Sequence, residues 1–260
     1  MDYMKKYEDN PFEDVFWNIP EQKQGTVAIV GGNSQSFLTL VKTAEFLSEK
    51  YPVKTVRAVL PDALKGKIPP NDNISFVAST ENGTFADGEM ILSIINNSDS
   101  SIIIGDLSKN AITEKAVRSA VENSDRPLIV TRDAVDITIS NGMEKLLLNN
   151  NLVFLASMAQ LQKLFRAIYY PKVLLLSQSL LQVADALHKF TLSYPAKIVT
   201  LHNGQILVAE NGEVSVVPMD KTGYTAISFW NGELASKIAA MNLFTPNNFT
   251  KATVAAIFAD

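Results

Sequence analysis

Residues 197–217 read KIVTLHNGQILVAENGEVSVV, three β-rich apolar runs joined by Asn203-Gly204 and Asn211-Gly212. Asn-Gly between apolar runs is a strong hairpin signal, because both turn residues take positive φ and Asn and Gly do so at least cost. The stretch predicts an antiparallel meander. The chain before it follows another rule. Short apolar runs at Thr26–Gly31, Val53–Leu60 (stopped by Pro61), Ile74–Ala78, Ser101–Gly105, Pro127–Thr131 and Leu152–Leu155 stand apart from one another. Amphipathic stretches separate several of them, at Phe37–Tyr51, Ala86–Ile95 and Ala111–Glu122, and another covers Leu180–Phe190. Strands that are apolar throughout and alternate with amphipathic helices imply a parallel sheet covered on both faces. The fold class is therefore α/β, doubly wound, with a mostly parallel sheet that ends in antiparallel strands. Two helices follow, from Gly232 to Leu243 and from Thr250 onward. Within Phe37–Tyr51, the residues Leu38, Val41, Phe46 and Leu47 are expected to form the packed face.

Composition excludes several chemistries. The chain of 260 residues has no cysteine, so disulfides, thiolate metal sites and a cysteine nucleophile are ruled out. Its only histidines are His188 and His202; the first reads as a surface residue and the second as a solvated residue at a hairpin tip. The 27 acidic and 23 basic residues are mixed along the chain, and without a basic stripe a nucleic-acid partner has no electrostatic support. No segment reads as a signal peptide or a bilayer span, which leads us to expect a cytoplasmic protein with no membrane partner. Residues 1–25 read as a peripheral arm and residues 26–260 as one domain.

In a parallel sheet, ligands bind where the carboxyl ends of the strands open onto a crevice. Residues that follow strands are therefore the candidates. Gly31, Gly32 and Asn33 form a glycine turn between a strand and a helix. Asp106 and Asp133 each follow a strand, where two carboxylates could hold ribose hydroxyls or Mg2+ through water. His202 and Gly204 flank the first hairpin turn. Gly232 and Glu233 open a helix, where backbone N–H groups favour an anion. Each has a plain alternative: a capped turn, a turn aspartate, or a first-turn Glu that the helix dipole favours. No metal site is expected from the residue pattern.

Taken in order, these segments resemble the ribokinase-like NAD(P)H-hydrate dehydratase family. Gly25–Asn33 resembles its opening strand, Val53–Pro61 its second strand, Ile102–Asp106 its strand ending in Ile-Gly-Pro-Gly, and Pro127–Val135 its Asp-Ala-Asp-Ala-Leu segment. Asn231-Gly232-Glu233-Leu234-Ala235 falls where the family has Ser-Gly-Asp-Val-Leu-Ala. The resemblance implies a three-layer ribokinase-like fold and a nucleotide or dinucleotide ligand. It also implies ATP or ADP as cofactor with Mg2+, and Glu233 as catalytic base. The departures are equally specific. Ala156–Gln160 stands where the family has Pro-His-x-Gly-Glu, and the glycine-rich approach to the catalytic turn is Ala226–Trp230. The resemblance thus implies a degenerate nucleotide-binding homologue with weak or no catalysis, in which Phe229 and Trp230 crowd the phosphate. Two other readings remain open: an active dehydratase with altered motifs, and a structural or partner-binding protein. In the last, Phe165–Tyr170 would meet another subunit of a homo-oligomer.

Overall fold

The computed structural model describes residues 2–69, 71–139 and 143–259. Ten strands form one sheet: β1 (Met4–Lys6), β2 (Gln24–Gly31), β3 (Val53–Pro61), β4 (Ile74–Val77), β5 (Ser100–Gly105), β6 (Leu128–Thr131), β7 (Leu152–Leu155), β8 (Lys197–His202), β9 (Gln205–Glu210) and β10 (Glu213–Pro218). Their order is β1-β10-β9-β8-β7-β6-β5-β2-β3-β4. From β4 to β8 every pairing is parallel; β9 and β10 are antiparallel, and β1 runs parallel to β10. The meander is as expected, with Asn203 and Asn211 at φ of 48° and 49° in its two turns. Within the 1–25 arm, β1 supplies an edge strand and Val15 is buried.

β2 shows why the early runs are apolar throughout. Val27 and Ile29 join one core, Ala28 and Val30 the other, and none of the four is exposed. Side chains alternate across a strand, so a sheet covered on both sides needs an unbroken apolar run. The first core is closed by α1 (Leu38–Lys50), α8 (Glu233–Phe244) and α9 (Phe249–Phe258). The second is closed by α2 (Gly88–Asn96), α3 (Ala111–Glu122), α4 (Asp133–Thr138), α5 (Glu144–Leu147), α6 (Met158–Ala167) and α7 (Leu180–Ser193).

Two expectations change. The packed face of α1 is Leu40, Thr43 and Leu47, while Leu38 is 65% exposed. The helix rotates this way because it packs against α8 as well as the sheet, and Thr43 faces Gly232. The Phe165–Tyr170 segment is mainly core: Leu164, Phe165 and Ile168 are buried, and Phe165 stacks on Phe190 with centroids 4.8 Å apart. Arg166 and Tyr169 of that segment face outward, Tyr169 with 86% exposure.

Candidate functional site

The crevice begins where β2 and β5 end. Their register shifts after Val30, so that Gly31 pairs with Gly105, and the Gly32 amide donates to the Gly105 carbonyl at 2.9 Å. Asn33 is committed to this turn. Its side-chain amide donates to the Asp106 carbonyl at 2.7 Å, and its oxygen accepts from the amides of Gln35 and Ser36.

Asp133, at the end of β6, fastens the other side. Its carboxylate accepts from the amides of Asp106 (2.7 Å) and Leu107 (3.1 Å). Gly105 is at φ 100°, and a β-carbon there would lie 2.1 Å from Oδ1 of Asp133, so only glycine lets the carboxylate reach the loop. Asp133 therefore clamps backbone, and Asp106 faces Arg132: Nη2 of Arg132 lies 3.0 Å from Oδ1 of Asp106. Both carboxylates thus already have protein partners. Among the described residues no group of three or more His, Asp or Glu side chains could hold a metal ion.

Arg132 is the residue that sequence reasoning missed. It sits at φ 56° and ψ −138°, a sparsely populated backbone region that costs a non-glycine residue about 1–3 kcal/mol. Gln160 holds that backbone, donating to the Arg132 carbonyl at 2.7 Å and to Asp136 at 2.8 Å. The guanidinium extends from β6 across the crevice, with Nη1 3.5 Å from the Trp230 carbonyl, and its Nε is buried with no protein partner. Such strained, under-bonded residues concentrate at functional sites. The available signal was a cation directly after the run Leu128–Thr131.

Gly232 completes the crevice. A β-carbon on it would lie 2.2 Å from Oγ1 of Thr43 and 2.9 Å from Cδ1 of Ile104, and one on Gly31 would lie 2.6 Å from Cγ2 of the same Ile104. Gly31 and Gly232 thus close on one side chain. Glu233 turns away from a free role. Its Oε1 lies 3.3 Å from Nζ of Lys237, a lysine only 3% exposed, which donates to the Ala259 carbonyl at 2.6 Å and lies over the Tyr224 ring. Burial, helped by the Glu233 charge, pushes the hydroxyls of Tyr51 and Tyr224 up from the usual tyrosine range. Lys237 was legible as a cation one turn after Glu233 in an otherwise apolar helix.

His202 and Gly204 lie at the same edge of the sheet but on β8 and its turn, three strands from β5, roughly 14 Å away at ordinary strand spacing. His202 is buried, not solvated: Nε2 meets the Gln178 carbonyl at 2.8 Å. His188 is half-buried against the Tyr3 ring and bonded to the Gly212 carbonyl. Phe229 does not crowd the crevice; it is wholly buried against Tyr224 and Trp230.

Most of the chain aligns with solved structures of one architecture. A ribokinase-like superfamily protein from Enterococcus faecalis superposes with a TM-score of 0.66 over 98% of this chain and 86% of that one, at 15% identity. The fold is ribokinase-like. An ADP/ATP-dependent NAD(P)H-hydrate dehydratase from Bacillus subtilis, co-crystallised with ATP/Mg2+, gives 0.62 at 14% identity over 96% of this chain and 86% of that one. The ADP complex of Bacillus subtilis pyridoxal kinase gives 0.53 at 12% identity over 91% and 89%. No protein-family model matches the chain, and no curated protein sequence does. No described helix of this ribokinase-like chain is long and apolar enough to cross a membrane.

Proposed function

We propose that this chain binds a nucleoside di- or triphosphate over the carboxyl ends of β2, β5 and β6, and that it turns over hydrated NADH weakly or not at all. The observation that supports the reading is that Gly31, Gly32, Gly105 and Gly232 lie close together at the strand ends with the Arg132 guanidinium beside them. A guanidinium at the strand ends supplies charged donors to a phosphate. Structural relatives carry nucleotides on this fold, ATP/Mg2+ with the dehydratase and ADP with the kinase.

The same geometry argues against efficient catalysis. Phosphoryl transfer depends on positioning and electrostatic stabilisation. Here the proposed base, Glu233, is paired with Lys237, and the carboxylates of Asp106 and Asp133 are held by Arg132 and by backbone amides. Calorimetric titration with ATP, ADP, NADH and hydrated NADH tests the binding. Turnover of hydrated NADH with ATP or ADP and Mg2+ tests the chemistry. The expected result is nucleotide binding with a rate at least ~1,000-fold below the ordinary enzyme median of about 10 per second. Turnover within about tenfold of that median would refute the degenerate reading. Absence of binding by all four ligands would refute the nucleotide site.

A further inference from the structure

We infer that Arg132 is the phosphate-recognising residue of the crevice and that Asp106 is its internal competitor, an acidic stand-in that occupies the guanidinium when no phosphate is present. This rests on the nucleotide-binding reading above and deepens it.

Three observations place the role on Arg132. First, location: its carbonyl is tied to Gln160 at the end of β6, while its guanidinium reaches both the loop after β5 and the Trp230 turn that precedes Gly232. It therefore lies among the backbone groups that converge on the crevice. Second, unmet bonding: a guanidinium offers five N–H donors. One bonds Asp106 well, at 3.0 Å; one reaches the Trp230 carbonyl only at 3.5 Å; the buried Nε has no protein partner. A phosphate presents several acceptor oxygens to the same fork and satisfies more of it than one carboxylate oxygen does. Third, strain: Arg132 and Asp106 face each other from positive φ, 56° and 57°, a conformation unfavourable for both that Gln160 and Asp133 hold in place from the two strand ends. The pair is thus kept at the crevice by neighbours other than itself.

A carboxylate that holds the guanidinium must be displaced by a ligand, and its charge also repels a phosphate. Removing Asp106 should tighten binding, whereas removing Arg132 should weaken it. Two variants suit the backbone here: Arg132→Gly takes positive φ without strain, and Asp106→Asn is among the non-glycine residues that tolerate it best.

Calorimetry with ADP, adenosine and inorganic pyrophosphate on the purified wild type and both variants decides the matter. We expect Arg132→Gly to lose roughly 10- to 100-fold in ADP affinity, the range for a charge-assisted hydrogen bond, with adenosine binding unchanged. Asp106→Asn should bind ADP and pyrophosphate more tightly than wild type. If wild type binds ADP and Arg132→Gly binds it equally well, the role assigned to Arg132 is wrong and the nucleotide site stands. If Arg132→Gly does not fold, Asp106→Asn decides alone, and unchanged or weakened ADP affinity overturns the proposal. Binding by Asp106→Asn but not by wild type removes the nucleotide site proposed above and this inference with it. Failure of both to bind any phosphate ligand removes the nucleotide site and this inference together.

Discussion

Oε1 of Glu233 lies 3.3 Å from Nζ of Lys237, and the ammonium is the buried member of the pair, with its side chain 4% exposed against 32% for the carboxylate. A cation removed from water needs a counter-charge or strong acceptors. Lys237 has both, since the Ala259 carbonyl accepts from it at 2.6 Å. The Glu in the first turn of α8 is thus a partner to a buried lysine before it is anything else.

Glu233→Gln should therefore lower stability by about 1–2 kcal/mol, a value reduced from that of a fully buried pair because the carboxylate is partly solvated. The measurement is the urea midpoint at neutral pH, with an unchanged slope. Adding Lys237→Met, which removes the orphaned charge and keeps apolar volume, should restore part of the loss. An unchanged midpoint in Glu233→Gln would show that the carboxylate supports nothing here.

A second expectation concerns acid. Burial alone would raise the Asp136 carboxyl, but hydrogen bonds from Lys163 and Gln160 outweigh it and hold the group below the usual carboxylate range. A native carboxyl with a lowered pKa contributes stability above its unfolded value, about 3.9, and loses that contribution as pH falls through the lowered one. Stability should be level in this respect above about pH 5 and should decline below about pH 4. Because Lys163 is half exposed, the size is about 0.5–1 kcal/mol. Asp136→Asn should show a smaller loss than wild type between about pH 6 and about pH 3 by urea titration. The same acid loss in both proteins would mean the pairing is not felt.

The fold was legible because its signals are local and periodic. Leu152–Leu155 and Ala111–Glu122 are read from the sequence with the bounds the structure has, since one is an unbroken apolar run and the other opens on a capping Asn110. The candidate edge was legible for the same reason: strands that run parallel deliver Gly31, Asp106 and Asp133 to one side of the sheet. What the side chains do there was not legible. Whether Asp133 meets a ligand or the amides of Asp106 and Leu107 depends on the positive φ of Gly105 and Asp106, a property of the packed loop. The contact between Gly232 and Thr43 joins residues from α1 and the start of α8 and has no trace in either segment alone. Arg132 stood in plain view, yet its direction follows from a backbone held by Gln160, which lies on another helix.

Phe229 separates two accounts of the weak turnover we propose. Were its ring crowding the phosphate, shortening it would open the crevice, and Phe229→Ala would gain nucleotide affinity or turnover at little structural cost. The ring instead is fully buried, packed edge-on against Trp230 at 4.5 Å between centroids and against Tyr224 at 6.4 Å. Truncating a buried aromatic leaves a cavity and costs about 3–5 kcal/mol, whereas a swap that conserves more volume, Phe229→Leu, should cost about 1.5 kcal/mol or less. Neither variant should gain dehydratase turnover, because the ring is part of the core; in the reading we propose, the Arg132–Asp106 and Glu233–Lys237 pairs limit the chemistry instead. Urea midpoints of the two variants, measured beside hydrated-NADH assays, test this directly. A Phe229→Ala protein as stable as wild type, or one with new turnover, would return the ring to the crevice and restore steric blockage as the cause.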